Sequence, residues 1–519
     1  MMTFNNSSST PRKCLLLALA LLSIIFQPKS CAATNNDIEN DDMWSQCNCP
    51  SSSSSSTTTT HTNHAKMAYL ITVHNRRTIH DGAHLLKSLM ETSQPGEQNT
   101  AVILIHVDHR VGIANPAEVA KNDTLKNQFL YHESPLRRYV EACLANSCAH
   151  INGAHHKTTG GDKKKKNSVL LEVHSHFAPK WSKWSMNDPT LWAMEYLLYH
   201  PQFQHDTNQL RLGKSTTTNP QSAAPWDTFI NLSGDTLPII SASRISQLFN
   251  PIDGPLGGNK TNYVTSTSCA TGFIPTSIFD FPKGTMKRSH YFQRDIPKRL
   301  SYVDTLTGEW KRNVETPIYF GSQWMALTYE FVHYVIRSMS HPNGLGSVLK
   351  DTLIDCNVQM TDESFFATLL MNSPFKDTLP KLNAEDKSLL NYPSMKTLRY
   401  ERMDENAPNA WGKWTGSHSL YDIPPKFKSA TDGEGPAKPW GPYFLGLYDL
   451  GDIKDSGALF IRKVSWSVDE NLVRMLPVVR SEKEEENMLL EWDVLPDIRW
   501  PKNGVNVKEP WVWSHEEEE

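Results

Sequence analysis

Residue types suited to acid–base or anion chemistry fall in three short segments of the 519-residue sequence. In Ile105-His106-Val107-Asp108 a carboxylate closes an apolar, β-rich run. Open α/β sheets bind ligands in the crevice beyond the C-terminal ends of their parallel strands, where an Asp can accept hydrogen bonds from a nucleoside. A turn Asp that caps the next segment fits the same spacing equally well. In Thr361-Asp362-Glu363-Ser364-Phe365-Phe366, Thr361 or Asp362 can cap a helix, with the acids in a first turn that the helix dipole favours. Glu363 also stands beside an aromatic pair whose apolar walls would raise a carboxylate's pKa towards the range useful to a general base. In Ala458-Leu459-Phe460-Ile461-Arg462-Lys463 two cations end an apolar strand. Neighbouring strand residues point to opposite faces, so both serve one cleft only where the strand breaks. Snorkelling into solvent is the alternative. Placed together they would clamp a diphosphate and stabilise it as a leaving group. From Met67 onward there is no Asp-x-Asp, so the usual carboxylate pair for a divalent metal is missing; fixed cations can neutralise the same charge, and no metal is expected.

These segments need a scaffold that places strand ends side by side. Met67 to His74 and Ala101 to Val107 read as apolar strands, with helical apolar spacing from Ile79 to Glu91 between them. Val169 to His174 is a further strand, Asp188-Pro189 starts a helix that runs to His200, and Trp226 to Leu232 is a strand. Alternating strands and helices predict an α/β fold, with a mostly parallel central sheet and helices on both faces. A helix from Ser322 to Met339, a shorter one near Asp362 and a strand from Ala458 to Ser465 follow.

Composition sets the frame. A formal charge of −4 gives no basic field for nucleic acid, and eight cysteines are too few for a disulfide scaffold. Arg12 and Lys13 precede an apolar run from Cys14 to Phe26, shorter than the roughly 20 residues that span a bilayer. Residues 1–33 are therefore read as a signal peptide or a short signal anchor, either of which delivers the chain to the secretory lumen. Residues 34–66, with six serines and four threonines from Ser51 to Thr60, read as a flexible Ser/Thr-rich stem. The catalytic unit is expected over 67–470, with polar insertions near 150–167 and 206–224 and an acidic tail over 471–519. The lysines from Lys163 to Lys166 read as a solvated loop. Asn122-Asp-Thr and Asn259-Lys-Thr are sequons, Asn231-Leu-Ser is expected buried, and Cys143 and Cys148 are close enough in sequence for a local disulfide.

Five blocks carry a family resemblance: Leu70 to His74, Ile105 to Asp108, Trp226 to Asp235, Gly321-Ser-Gln-Trp324 with Phe331 to Val335, and Asp362 to Phe366 through Asn372-Ser-Pro374. In this order they resemble the core-2/I-branching family of β-1,6-N-acetylglucosaminyltransferases and peptide O-xylosyltransferases. The resemblance spans roughly Met67 to Ser465. It implies a GT-A-like nucleotide-sugar-binding fold and a luminal, inverting glycosyltransferase of the Golgi or endoplasmic reticulum, membrane-anchored as a type II protein or secreted. It makes Glu363 the base, puts Val73 and Asp108 on the uridine, and sets Arg462 and Lys463 on the diphosphate. Gln323 and Trp324 fall at the donor sugar. The stretch from Glu363 to Pro374 and Leu398-Arg399-Tyr400 is more similar to the xylosyltransferases, which implies UDP-xylose as donor and a protein serine as acceptor. Gln323 departs from the Asp of those enzymes and Asp235 is displaced by one residue from the family's Asp, which keeps UDP-N-acetylglucosamine and a glycan acceptor in play. A catalytically inactive, secreted carbohydrate-binding protein is the remaining alternative, suited by Trp-rich surfaces.

Overall fold

The structure, a computed structural model, describes residues 44, 47, 65–91, 100–110, 131, 134–146, 148–151, 169–180, 183–200, 226–252, 254, 256–257, 260–264, 266–268, 296–358, 360–380, 398–401, 444–456 and 458–485. Two compact units divide at Trp44, and none of the described residues falls in the first. The expected signal segment, most of the stem, the two polar insertions apart from His150 and Ile151, the Lys163–Lys166 run, Asn122, Asn259 and residues 486–519 lie outside the described residues. Among those described, no helix is long and apolar enough to cross a membrane.

A six-stranded sheet forms the centre. Strand β1 (Met67–Val73) leads through helix α1 (Arg76–Glu91) to β2 (Thr100–Val107), and helix α2 (Pro135–Ala145) precedes β3 (Ala149–His150) and β4 (Val169–His174). Helix α3 (Asp188–Tyr199) leads to β5 (Thr228–Ser233), β6 (Thr236–Pro238) and helix α4 (Ala242–Leu248). The short β7 (Thr267–Ser268), the hairpin β8 (Arg299–Val303) and β9 (Trp310–Glu315), then β10 (Tyr319–Phe320) and β11 (Ala326–Thr328), precede helices α5 (Tyr329–Ser340), α6 (Leu345–Asp355) and α7 (Phe365–Met371). The central order is β11-β5-β1-β2-β4-β3, parallel except for β11. Strands buried on both faces read as unbroken apolar runs, as β1 does. Ala68, Leu70, Val102 and Leu104 pack with residues of α3, α5, α6 and α7 on one face. Tyr69, Ile71, Ile103 and Ile105 alternate with them and are equally buried, on the side where α1 and α2 pack together.

Several boundaries differ from expectation for local reasons. Helix α1 starts three residues before Ile79 because the Asn75 side chain accepts from Thr78 N at 2.9 Å, an N-cap. The helix expected from Ser322 begins only at Tyr329, capped by Thr328. Buried Asn231 donates to the Gln323 carbonyl at 2.7 Å and accepts from Met325 N at 2.8 Å, holding this stretch extended so that 326–328 pair with β5. That Asn is 4% exposed, as expected for a sequon residue inside an apolar run.

A second, three-stranded sheet sits beside the first. Strand β12 (Arg399–Glu401) runs parallel to β13 (Phe460–Arg462), which is antiparallel to β6. Helix α8 (Leu450–Asp455) precedes β13, and helix α9 (Glu470–Glu485) follows it. The segment from Asn471, expected as an acidic tail, is thus helical to Glu485. Leu472, Leu476 and Val479 are buried, and Arg480 donates to the Pro238 carbonyl at 2.9 Å. Two positions inside the expected stem are also packed, for Trp44 and Cys47 are buried. The local disulfide is not formed. Cys148 is disulfide-bonded whereas Cys143, buried in α2, keeps its thiol.

Candidate active site

Glu363 lies in a 3-10 turn, Thr361–Glu363, immediately before α7 rather than inside a helix. The turn is tied down from three sides. Gly321 N donates to the Glu363 carbonyl at 2.6 Å, Asn187 Nδ2 donates to Thr361 Oγ1 at 3.1 Å, and Phe365 and Phe366 are buried below it. Burial and the neighbouring Asp362 and Glu401 carboxylates hold the Glu363 pKa well above the ordinary glutamate value, with Arg462 and Arg399 opposing. Glu363 is nonetheless partly exposed. Asp362 is 4% exposed, its Oδ1 has no hydrogen-bond partner among the described residues, and burial raises its pKa to about 6.

Arg462 ends β13, and its register fixes its neighbours: Glu401 on one side and Thr236, just after Asp235, on the other. Arg462 Nη1 donates to Glu401 Oε1 at 3.0 Å, while Nε reaches Ser233 Oγ at 3.0 Å and Asp235 Oδ1 at 3.3 Å. Arg399 Nε is 2.7 Å from the same Glu401 oxygen, and Arg77 Nη2 is 3.5 Å from Asp235 Oδ2. Burial alone would raise Asp235, but Arg462, Arg77 and Lys463 hold it far below the carboxylate range. Burial likewise pushes Glu401 up, and Arg399 and Arg462 bring it down overall. A network this buried is stable only when every charge is matched. Trp324 lies beneath two of the cations, its ring 4.8 Å from the Arg462 guanidinium and 5.5 Å from that of Arg399.

Beyond Arg462 the strand stops, which resolves the opposite-faces problem. Lys463 Nζ stands 5.8 Å from the Phe444 ring, with the Arg77 guanidinium 4.4 Å from it. Burial and Arg462 lower the Lys463 pKa to about 8. The two cations therefore have different tasks. Arg462 is consumed by Asp235, Glu401 and Ser233, whereas Lys463 has no carboxylate within ion-pair distance among the described residues.

Val73 and Asp108 close the adjacent ends of β1 and β2, joined by Asp108 N donating to the Val73 carbonyl at 2.8 Å. The Asp108 carboxylate, 1% exposed, is held by Arg110 through its backbone N at 2.9 Å and Nε at 3.0 Å. His74, next after β1, is influenced electrostatically by Asp108 as well as by Asp235, Arg77 and Arg462, so Asp108 and the cation cluster share one edge of the sheet. Gly234 permits that closeness, because a Cβ there would lie 2.0 Å from the Thr78 carbonyl oxygen. Gln323 and Trp324 are partly exposed on the loop that joins β10 to β11.

The structure thus gathers Trp324, Glu363, Arg462 and Lys463 at one end of the second sheet, with Val73 and Asp108 at the nearby ends of β1 and β2. Arg77, Ser233, Arg399, Glu401 and Phe444 are additional participants that the sequence reading missed. A weak signal existed for one pair, since Arg399 and Glu401 share a strand face in Leu398-Arg399-Tyr400-Glu401.

No curated protein matches the chain. Residues 220–385 match the model of the Core-2/I-Branching enzyme family, a span that contains Asp235, Gln323, Trp324 and Glu363. The match covers about a third of the sequence and supports membership of the Core-2/I-branching enzyme family, which implies a glycosyltransferase that takes a nucleotide-sugar donor and an acceptor.

Proposed function

We propose that the protein is an inverting, metal-independent glycosyltransferase of the secretory lumen that moves xylose from UDP-xylose to a protein serine. The observation that carries this reading is the pairing of Glu363, a carboxyl with raised proton affinity, with a cation cluster in which Lys463 lacks a carboxylate partner among the described residues. Glu363 takes the proton of the acceptor hydroxyl as its oxygen attacks the anomeric carbon. The bond from that carbon to the β-phosphate oxygen breaks with its electron pair, and UDP leaves against Lys463. Attack from the face opposite UDP gives inversion. Negative charge on the diphosphate is met by fixed cations, the task a divalent metal performs elsewhere. Asp108 and Val73 face the uridine, and Gln323 and Trp324 face the sugar. Anchored or secreted, the enzyme works in the Golgi or endoplasmic reticulum. N-acetylglucosamine transfer to a glycan is the second reading, favoured by Gln323 standing where xylosyltransferases carry Asp.

The test is UDP release by the full chain with UDP-xylose, UDP-N-acetylglucosamine and UDP-glucuronic acid, each with and without excess chelator. UDP-xylose turnover that survives chelation is expected, and strict manganese dependence would contradict the cation clamp. Glu363→Gln should lower turnover by roughly 10²–10⁴-fold, the usual contribution of a general base, and leave UDP binding nearly intact. Retained turnover would remove Glu363 as the base.

A further inference from the structure

We propose that Trp44 is a positioning residue of the donor site: it straps the chain that precedes the sheet onto the turn that carries Lys463. The proposal rests on the reading of Lys463 as the diphosphate cation. Trp44 is fully buried although it precedes β1 by more than twenty residues. Its ring meets His84 of α1 edge-on, with centroids 4.8 Å apart, and Tyr139 of α2 at 6.2 Å; Lys87 Nζ stands 5.7 Å away. The nearby Cys47 carbonyl accepts from Asn146 Nδ2 at 3.1 Å, which fixes this part of the chain to the end of α2.

His84 passes the contact on. It stacks parallel to Trp466, centroids 4.8 Å apart and planes 11° apart. His84 Nε2 has no hydrogen-bond partner among the described residues, and the ring is packed between the two indoles, with the His80 ring 5.7 Å away. Trp466 follows Lys463 by three residues in a turn fixed at both ends: Val464 N donates to the Asp235 carbonyl at 2.9 Å, and Trp466 N donates to Asp81 Oδ1 at 3.1 Å. Trp44, His84 and Trp466 thus form one line of ring contacts, edge-on and then stacked, that reaches the Lys463 turn. Removing the first indole gives His84 room to tilt and loosens the packing of the Trp466 ring beside the turn. Arg462 is held by its own ion pairs, so the effect falls on Lys463.

The experiment compares full-length wild type, Trp44→Ala and Trp44→Phe by backbone hydrogen exchange and UDP titration. Trp44→Ala is expected to speed exchange at Val464 and Trp466 about tenfold relative to β1, a local opening. The UDP dissociation constant should rise roughly tenfold, a loss of about 1.4 kcal/mol of binding. At saturating donor, kcat should change less than KM, and Trp44→Phe should restore both quantities. A uniform rise in exchange, or an unchanged UDP dissociation constant in folded Trp44→Ala, would overturn the proposal and leave Trp44 a stability residue. Should Trp44→Ala fail to fold, Trp44→Leu against Trp44→Phe reads the same two quantities. A wild-type protein that binds no UDP would instead sink the donor reading, and the exchange comparison would still decide whether Trp44 holds the turn.

Discussion

Glu363 and Lys463 are displaced from their ordinary proton affinities in ways that bracket a working window. Glu363 must be ionised to accept a proton, and its pKa is raised by burial and by Asp362 and Glu401. Lys463 must be protonated to hold a diphosphate, and burial with Arg462 lowers its pKa to about 8. For the free enzyme, kcat/KM should therefore rise with pH through the Glu363 value and fall as pH passes about 8. The alkaline limb should be absent from the profile of Lys463→Arg and should move up in kcat, because bound diphosphate favours the ammonium. A profile whose alkaline limb is the same in Lys463→Arg would assign that limb to another group. The raised Glu363 also has a sign for stability. A carboxyl whose folded pKa exceeds its unfolded value contributes stability that is present below the unfolded pKa and lost as pH rises through the folded one. Once ionised the carboxylate is thus a cost, and above the folded pKa Glu363→Gln should melt higher than wild type even as it loses turnover, the direction expected of a group kept for function.

At the scale of elements, the second sheet brings distant parts of the chain into one ion network. Asp235 just before β6, Glu401 on β12 and Arg462 on β13 are adjacent only because these three-residue strands pair. Asp235→Asn leaves Arg462 and Arg77 short of a carboxylate inside the protein, and loss of one partner of a buried pair costs about 3–5 kcal/mol. The denaturation midpoint at pH 7 should fall accordingly. Asp235 has a depressed folded pKa, so its contribution is present above the unfolded value and is lost as pH falls through the folded one. Wild type and Asp235→Asn should consequently converge in strong acid. The same geometry explains what the sequence could disclose. Strands β1, β2 and β4 were legible because apolar residues dominate each run, even though Glu172 interrupts β4. Glu363 and Lys463 stood out through their immediate neighbours. The pairing of Arg77 with Asp235 and of Glu401 with Arg462 did not, because those partners lie 158 and 61 residues apart and no local pattern records a contact at that range. The extended backbone at Ser322 to Met325 was missed for a related reason, since Asn231, about ninety residues earlier, overrides the local helical spacing.

For the whole molecule, the segment that matches a family model and the unit that can act are different things. Residues 220–385 contain Glu363 and Trp324, but Val73, Arg77, Asp108, Arg399, Glu401, Arg462 and Lys463 lie outside them. That span supplies β5 and β11 yet lacks β1, which pairs with β5 from Met67↔Thr228 to Thr72↔Ser233. Isolated, it would expose the apolar faces of β5, including the fully buried Phe229, and leave an unpaired edge that invites aggregation. A chain from Met67 to Glu485 keeps both sheets and all the site residues but omits Trp44. Truncating a buried Trp to Ala typically removes about 3–5 kcal/mol, and losing the residue altogether is at least as severe. The expected order in melting temperature is full chain above 67–485, with 220–385 showing no cooperative transition. Calorimetry on the three proteins checks it. Equal melting of the full chain and 67–485 would show that Trp44 adds nothing to the fold, and a cooperative transition in 220–385 would show that β5 does not depend on β1.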